Sequence, residues 1–227
     1  MENKDVKNPS SKKKRISYFA YDFLKITGIL PVWVWLHPTV IHVGDKKSHN
    51  VKGPIMISSN HVGFRDPLIL LVAFWRRRLF ALITKDLYEK KGMAWMLDAI
   101  HMIKVDKENF SMQSFHKVSD HLSRGKAVLI FPEGQVNKTG SMMSFKSGAV
   151  LMAHKNHSKI LPVFVKPGEK WYHKNYVLVG DPIDVREICG AFPSMDKLQT
   201  ASDYIHEHEK ELENYFNEHI LKKDNIN

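Results

Sequence analysis

Hydrophobic and polar positions along this chain fall into short blocks whose spacing alternates between strand-like and helix-like. Residues 54–59 carry the β-branched Ile55 and Ile57 and predict a strand. Residues 68–75 are apolar and Pro67 suits a first helical turn, which predicts a helix with Asp66 as its N-cap. Further on, 79–83 reads as a strand, 85–97 as a helical stretch broken at Gly92, and 102–105 as a short strand. Phe115, Val118 and Leu122 recur at helical spacing until Gly125 stops the helix. The apolar run 127–131 has strand length, 145–154 reads as helical, and 160–165 and 176–179 as strands, the last ending at Gly180-Asp181-Pro182. From Leu198 onward, Ala201, Ile205, Leu212, Tyr215, Phe216 and Ile220 describe a long amphipathic helix whose simplest use is packing. Strands separated by helices predict an α/β fold, with a mixed, largely parallel sheet flanked by helices. A length of 227 residues fits one such domain and is too short for two large ones.

One block breaks the alternation. Residues 16–36 concentrate Tyr18, Phe19, Tyr21, Phe23, Leu24, Ile29, Leu30, Val32, Trp33, Val34 and Trp35 directly after the basic run Lys12-Lys13-Lys14-Arg15. A spanning helix wants roughly 20 apolar residues, and Asp22, Lys25 and Pro31 interrupt this one. The expectation is an interfacial anchor of two short helices separated by Pro31, lying on an anionic leaflet. The competing reading is an N-terminal helix packed on the domain core. Trp75-Arg76-Arg77-Arg78 is either a second lipid-facing basic patch or a solvated helix end. The expected organisation is a basic disordered tail over 1–15, an interfacial helical segment over 16–36, the α/β domain over 37–221 and a disordered tail over 222–227.

Composition narrows the partners without choosing among them. A formal charge of +10 suits nucleic acid, an anionic membrane, or phosphorylated and acidic carrier substrates. No recognisable nucleic-acid-binding module accompanies the basic run, and the aromatic stretch beside it fits lipid better, so no nucleic-acid partner is expected. Cys189 is the single cysteine, which excludes an intramolecular disulfide and a cysteine zinc site. No secretory signal is read in the first fifteen residues. The pairs His116 and His121, His154 and His157, and His206 and His208 lack the spacing of a zinc motif, and no metal is expected.

Two loops carry candidate chemistry. Asn60-His61-Val62-Gly63-Phe64-Arg65-Asp66-Pro67 places a histidine and a carboxylate in a strand-to-helix loop, where α/β proteins put their sites. An imidazole can take a proton from a hydroxyl, and a carboxylate on its other nitrogen fixes the tautomer. The alternative is a helix-capping Asp66 beside an ordinary loop histidine. The buried run 127–131 ends in Pro132-Glu133-Gly134-Gln135, delivering a carboxylate and a glycine into a second loop. Gly134 permits close backbone approach, and Glu133 either binds acceptor hydroxyls, orients a basic neighbour, or forms an acidic turn.

Together these loops resemble the glycerolipid (lysophospholipid) acyltransferase family, which includes the bacterial 1-acylglycerol-3-phosphate acyltransferases, over most of the chain. Asn60, His61, Asp66 and Pro67 match its first block, and Phe131-Pro132-Glu133-Gly134 its third. Phe145-Lys146-Ser147-Gly148-Ala149, Leu161-Pro162-Val163 and Gly180-Asp181-Pro182-Ile183 match later elements. The resemblance implies that His61 is a general base oriented by Asp66. It further implies direct acyl transfer from acyl-CoA or acyl-carrier protein to a lysolipid hydroxyl, foremost that of 1-acylglycerol 3-phosphate, at the cytoplasmic face of a membrane. It requires no metal or other cofactor. Lys107, Glu133, Gly134 and Lys146 are the substrate-binding candidates, Lys138 is expected to be solvated, and backbone N–H groups near Gly63 or Gly134 are candidate oxyanion donors. Two departures bear on the acceptor: Val105-Asp106-Lys107 and Gln135-Val136 stand where the family often places arginine. A phosphate fork is thus absent at one position and a point charge at the other, which leaves another lysolipid or a lipid-linked alcohol as the alternative acceptor. A non-catalytic membrane lipid-binding protein of the same fold is the reading from a different class.

Overall fold

The structure is a computed structural model describing residues 17–44, 52–106, 111–137, 142–170 and 173–222. Its strands are β1 (Pro38–His42), β2 (Ile55–Ser59), β3 (Leu79–Thr84), β4 (Ile103–Val105), β5 (Ala127–Ile130), β6 (Lys159–Lys166) and β7 (Asn175–Val179). Its helices are α1 (Phe19–Leu36), α2 (Asp66–Ala73), α3 (Lys85–Tyr88), α4 (Met93–Ala99), α5 (Met112–Ser123), α6 (Gly148–Lys155), α7 (Val185–Cys189) and α8 (Met195–Phe216), the last continued by a π turn over Asn217–Leu221. The strands form a seven-stranded sheet in the order β1-β7-β6-β2-β5-β3-β4, parallel throughout except for the antiparallel β6–β7 pair.

Strands β2, β5 and β7 are buried at every position, as covering both sheet faces with helices requires, and this is why Ile55-Met56-Ile57, residues 127–130 and residues 176–179 are consecutive apolar residues rather than alternating ones. Fully buried Ile57, Leu129, Leu79, Phe80 and Ile160 make the centre of the core, and burying such a side chain contributes about 1.5–3 kcal/mol. Strand β2 lies between β5 and β6, with Ile57 opposite Leu129 on one side and Leu161 on the other. Chain leaving β2 goes to β3 past β5, while the β5-to-β6 connection crosses back over β2. The order therefore reverses at the carboxyl end of β2, the crevice where open α/β sheets hold ligands.

Several expectations change in detail. Strand β1 was not legible: its five half-buried residues gain strand character from pairing Pro38 with Asn175 far along the chain. Helix α7 was also unread, and the helix expected from 145 begins at Gly148, because the Lys146 amide is turned to the Pro132 carbonyl at 3.1 Å. Asp66 does not cap α2. Arg65 holds the N-cap position in helical conformation, Asp66 opens the helix, and its carboxylate reaches back to the amides of Val62 and Gly63.

Helix α1 is continuous through Pro31, with its axis bent by 47° between Phe19–Gly28 and Leu30–Leu36. Proline removes one helical hydrogen bond and crowds the preceding turn, so a bend replaces the expected break. One side of α1 is fastened to the domain. Tyr21 is buried, its hydroxyl donates to the Leu79 carbonyl (3.0 Å) and accepts from the Leu79 amide (2.9 Å). Arg78 grips the Asp22 carboxylate with two bonds of 2.8 and 2.6 Å, and Lys25 donates to the Arg77 carbonyl at 3.1 Å. The other side leaves Phe19, Phe23, Ile26, Leu30, Trp33 and Val34 more than half exposed. Among the described residues no single helix is long and apolar enough to cross a membrane, although the two arms of α1 pass that test together by length and composition.

Candidate active site

The sheet register brings the two candidate loops together. Ser58 pairs with Ile130, so residues 131–134 leave β5 beside residues 60–62 leaving β2. Asn60 is buried and extends the β2–β6 ladder with its side chain, accepting from the Val165 amide (2.7 Å) and donating to the Val165 carbonyl (3.0 Å). That clasp fixes where His61 begins.

His61 Nδ1 lies 2.9 Å from Asp66 Oδ2, and the same oxygen accepts the Val62 and Gly63 amides at 2.7 Å each. The loop between histidine and carboxylate is thus wrapped around one carboxylate oxygen. Asp66 is completely buried, whereas the His61 side chain keeps 18% of its surface exposed. With Nδ1–H donating to Asp66, Nε2 carries the lone pair and is the atom able to take a proton. The imidazole stacks on Phe131, ring centroids 4.1 Å apart and planes 20° from parallel, so its orientation is fixed by packing as well.

Glu133 is buried, and both carboxylate oxygens are engaged. Oε1 accepts the His61 amide (3.2 Å), and Oε2 accepts the Asn137 side chain (3.1 Å) and the Met143 amide (3.1 Å). The Asn137 amide in turn donates to the His61 carbonyl at 2.6 Å. The geometry is that of a clamp joining both loops. Gly134 adopts φ +74°, and the Lys146 side chain lies over it, Nζ 3.2 Å from where a Cβ would stand. Any larger residue at 134 is strained and also meets that lysine. Lys146 is itself exposed at the loop surface. Lys107 and Lys138 lie outside the described residues.

Of the backbone amides near Gly63 and Gly134, those of the glycines themselves are engaged: Gly63 donates to Asp66 and Gly134 to the Phe131 carbonyl at 3.0 Å. Beside the dyad, a cavity of about 580 Å³ is lined by Val62, Phe64, Glu133, Met142, Phe164 and Lys166 among others, apolar walls with a few charged groups. Asn137, Arg65 and Asn175 hold this region together through partners distant in the sequence, so nothing beside them in the chain signals that use. Only Asn60 was signalled, by its place next to His61. Among the described residues no three His, Cys, Asp or Glu side chains gather as a metal site.

Behind the site, α8 inserts Glu209, fully buried, against Ser58 and the Asn60 backbone and near Glu133. Desolvation, reinforced by the Glu133 charge, pushes its carboxyl well above the ordinary range, so the folded protein keeps a proton that the unfolded chain releases. Stability from this group is complete below the ordinary carboxyl range and falls as pH rises toward the folded value. Glu209→Gln removes that loss. Its thermal midpoint is expected above the parent's at pH 8, with the gap closing toward pH ~4.5; a midpoint below the parent's at pH 8 contradicts a protonated Glu209.

Three comparisons bear on this arrangement. Residues 40–166 match the family model described as Acyltransferase. The chain is 25% identical over 179 residues to the 1-acyl-sn-glycerol-3-phosphate acyltransferase of Bacillus subtilis, covering 77% of this chain and 88% of that protein. It is 26% identical over 205 residues to the enzyme of the same name from Borreliella burgdorferi, covering 88% and 78%. In three dimensions it is similar to the crystal structure of the 1-acyl-sn-glycerophosphate (LPA) acyltransferase PlsC from Thermotoga maritima, with a TM-score of 0.60, 18% identity and coverage of 86% and 82%.

Proposed function

Because the chain belongs to the Acyltransferase family, we propose that it moves a fatty acyl group from an acyl thioester to the free hydroxyl of 1-acylglycerol 3-phosphate, giving phosphatidate. The observation that carries this reading is the 2.9 Å contact of His61 Nδ1 with Asp66, which leaves Nε2 as a base. Nε2 takes the proton as the acceptor oxygen attacks the thioester carbonyl. The tetrahedral intermediate then collapses, the carbon–sulfur bond breaks, and the imidazolium returns the proton to the departing thiolate. No acyl-enzyme forms and no metal or cofactor takes part. Asp66 holds the tautomer and balances the imidazolium. Glu133 acts by locking the loops, since its oxygens are already engaged, and Lys146, leaning over Gly134, supplies positive charge for the acceptor phosphate together with Lys107.

The named relatives support the acceptor. The missing arginine at Val136 supports a second reading, a lysolipid or lipid-linked alcohol without that phosphate. Mass spectrometry of products from mixed lysolipids, supplied with acyl-CoA and acyl-carrier protein in turn, tests donor and acceptor together. Phosphatidate as the main product is expected. Products only from phosphate-free acceptors reject the leading acceptor, and lipid binding with no product at all rejects the enzyme.

The reading also places the protein peripherally or monotopically at the cytoplasmic face of a membrane, through the bare side of α1. Phe23→Ser combined with Leu30→Ser and Trp33→Ser spares the packed Tyr21 and Leu36. The triple variant is expected to keep its thermal midpoint and to stop sedimenting with anionic vesicles, because each large apolar group withdrawn from lipid removes about 1.5–3 kcal/mol. Undiminished sedimentation rejects the anchor.

A further inference from the structure

We infer that Arg65, acting with Asn175, is a positioning residue for the His61–Asp66 pair. Arg65 stands directly before Asp66, in the N-cap position of α2. Its guanidinium does not reach the dyad. Nη1 donates to the Gly168 carbonyl (3.0 Å), Nη2 donates to Asn175 Oδ1 (3.0 Å), and the group sits 5.9 Å from the centroid of the Trp35 ring. The start of the catalytic helix is thereby tied to the turn after β6, to the first residue of β7 and to the end of α1.

Asn175 is the node of this tie. It is fully buried; its Oδ1 accepts both Arg65 and the Gly168 amide (3.0 Å), and its Nδ2 donates to the Leu36 carbonyl, the last of α1. Gly168 is itself confined, since a Cβ there would stand 2.6 Å from the His173 carbonyl oxygen. Arg65 therefore grips fixed points. On the other side of the loop, Asp66 Oδ2 gathers His61, Val62 and Gly63. The carboxylate sets the loop relative to the helix, and Arg65 sets the helix relative to the sheet.

The residue type follows from the geometry. Two diverging acceptors and a ring face suit a planar fork, whereas an ammonium group is a point charge with no stacking face. A helix start released from this grip shifts Asp66 against a His61 whose backbone Glu133 and Asn137 hold, which turns the imidazole and moves Nε2 relative to bound substrate. Misplacement of a reacting group by about 1 Å is enough for a loss on the order of 10²-fold.

This inference rests on His61 being the base, so its test includes a readout independent of turnover. Arg65→Ala is expected to lower kcat by about 10²-fold with the acceptor KM held within about twofold. Arg65→Lys, which keeps the charge, is not expected to recover it, and Asn175→Ala combined with Arg65→Ala is expected to lose little more than Arg65→Ala alone, as coupled partners do. In the same variants the ¹⁵N-histidine NMR signals of His61 are expected to move. An unchanged kcat, a loss confined to KM, or recovery by lysine overturns the proposal. If Arg65→Ala does not fold, the lysine variant carries the same comparison. Should His61→Ala retain activity, the reaction reading fails, while a shifted His61 signal in the Arg65 variants still upholds positioning and an unshifted one refutes it.

Discussion

His61→Ala loses turnover by roughly 10²–10⁴-fold, the range that general-base assistance contributes, while its thermal midpoint stays close to the parent's. The side chain is partly exposed at 18%, and its stacking on Phe131 is replaceable by solvent at small cost. What cannot be replaced is the lone pair at Nε2, because the nearest carboxylates are not free to take its place: Asp66 Oδ2 still accepts the Val62 and Gly63 amides, Asp66 Oδ1 is buried, and Glu133 holds three donors. The affinity for the acceptor is expected to change little, since the imidazole acts on the proton in flight rather than on ground-state binding. Steady-state kinetics with a mass-spectrometric product assay measures this. Acyl transfer at the parent's rate by the purified variant would sink the mechanism.

Asp66→Asn is expected to fall by a similar factor and, unlike the histidine variant, to lose stability too. If the amide oxygen keeps the place of Oδ2, the new NH₂ group occupies the place of Oδ1, a buried position with no hydrogen-bond partner. An unpaired buried donor costs about 1–3 kcal/mol. If the amide turns over, its NH₂ faces the Val62 and Gly63 amides, and His61 must present Nδ1 as an acceptor, which places the ring proton on Nε2 and removes the base. A comparable carboxylate-to-amide change in the serine protease triad lowers turnover by about 10⁴-fold through the wrong tautomer. Nitrogen NMR of the imidazole reads the tautomer and calorimetry reads the stability. A variant with parental kcat and an unchanged tautomer would show that Asp66 serves only the fold.

The reaction class was legible because its carriers are local. The apolar runs of β2 and β5 announce themselves without neighbours, since both strands are buried on both faces. The residues after them, His61 with Asp66 and Glu133 with Gly134, sit within a loop's length of those strands. A pattern that spans a few residues can be read from a few residues. Strand β1 failed that test because its pairing with β7 depends on residues far apart in sequence. The pairing of Asp66 with His61 was legible, but its place in the helix was off by one residue: an aspartate before a proline is a good N-cap by propensity, whereas Arg65 holds that position and the Asp66 carboxylate turns back to the loop. Which amides near Gly63 and Gly134 are available was not legible either, because a backbone amide's availability depends on its partner, and the two glycine amides each have one.

Sequence alone, then, determined the mixed α/β order of the chain, the histidine and carboxylate that carry the proposed chemistry, and the greasy character of the first helix, because each is a property of neighbouring residues. Tertiary structure decided that the helix bends at Pro31 rather than breaking, that Glu133 clamps two loops, and that Arg65 and Asn175 fasten the dyad to α1 and the sheet. Those are relations between groups as far as 139 positions apart. Hydrogen bonds and packing act over a few ångströms whatever the distance along the chain, so folding, not sequence proximity, selects the partners.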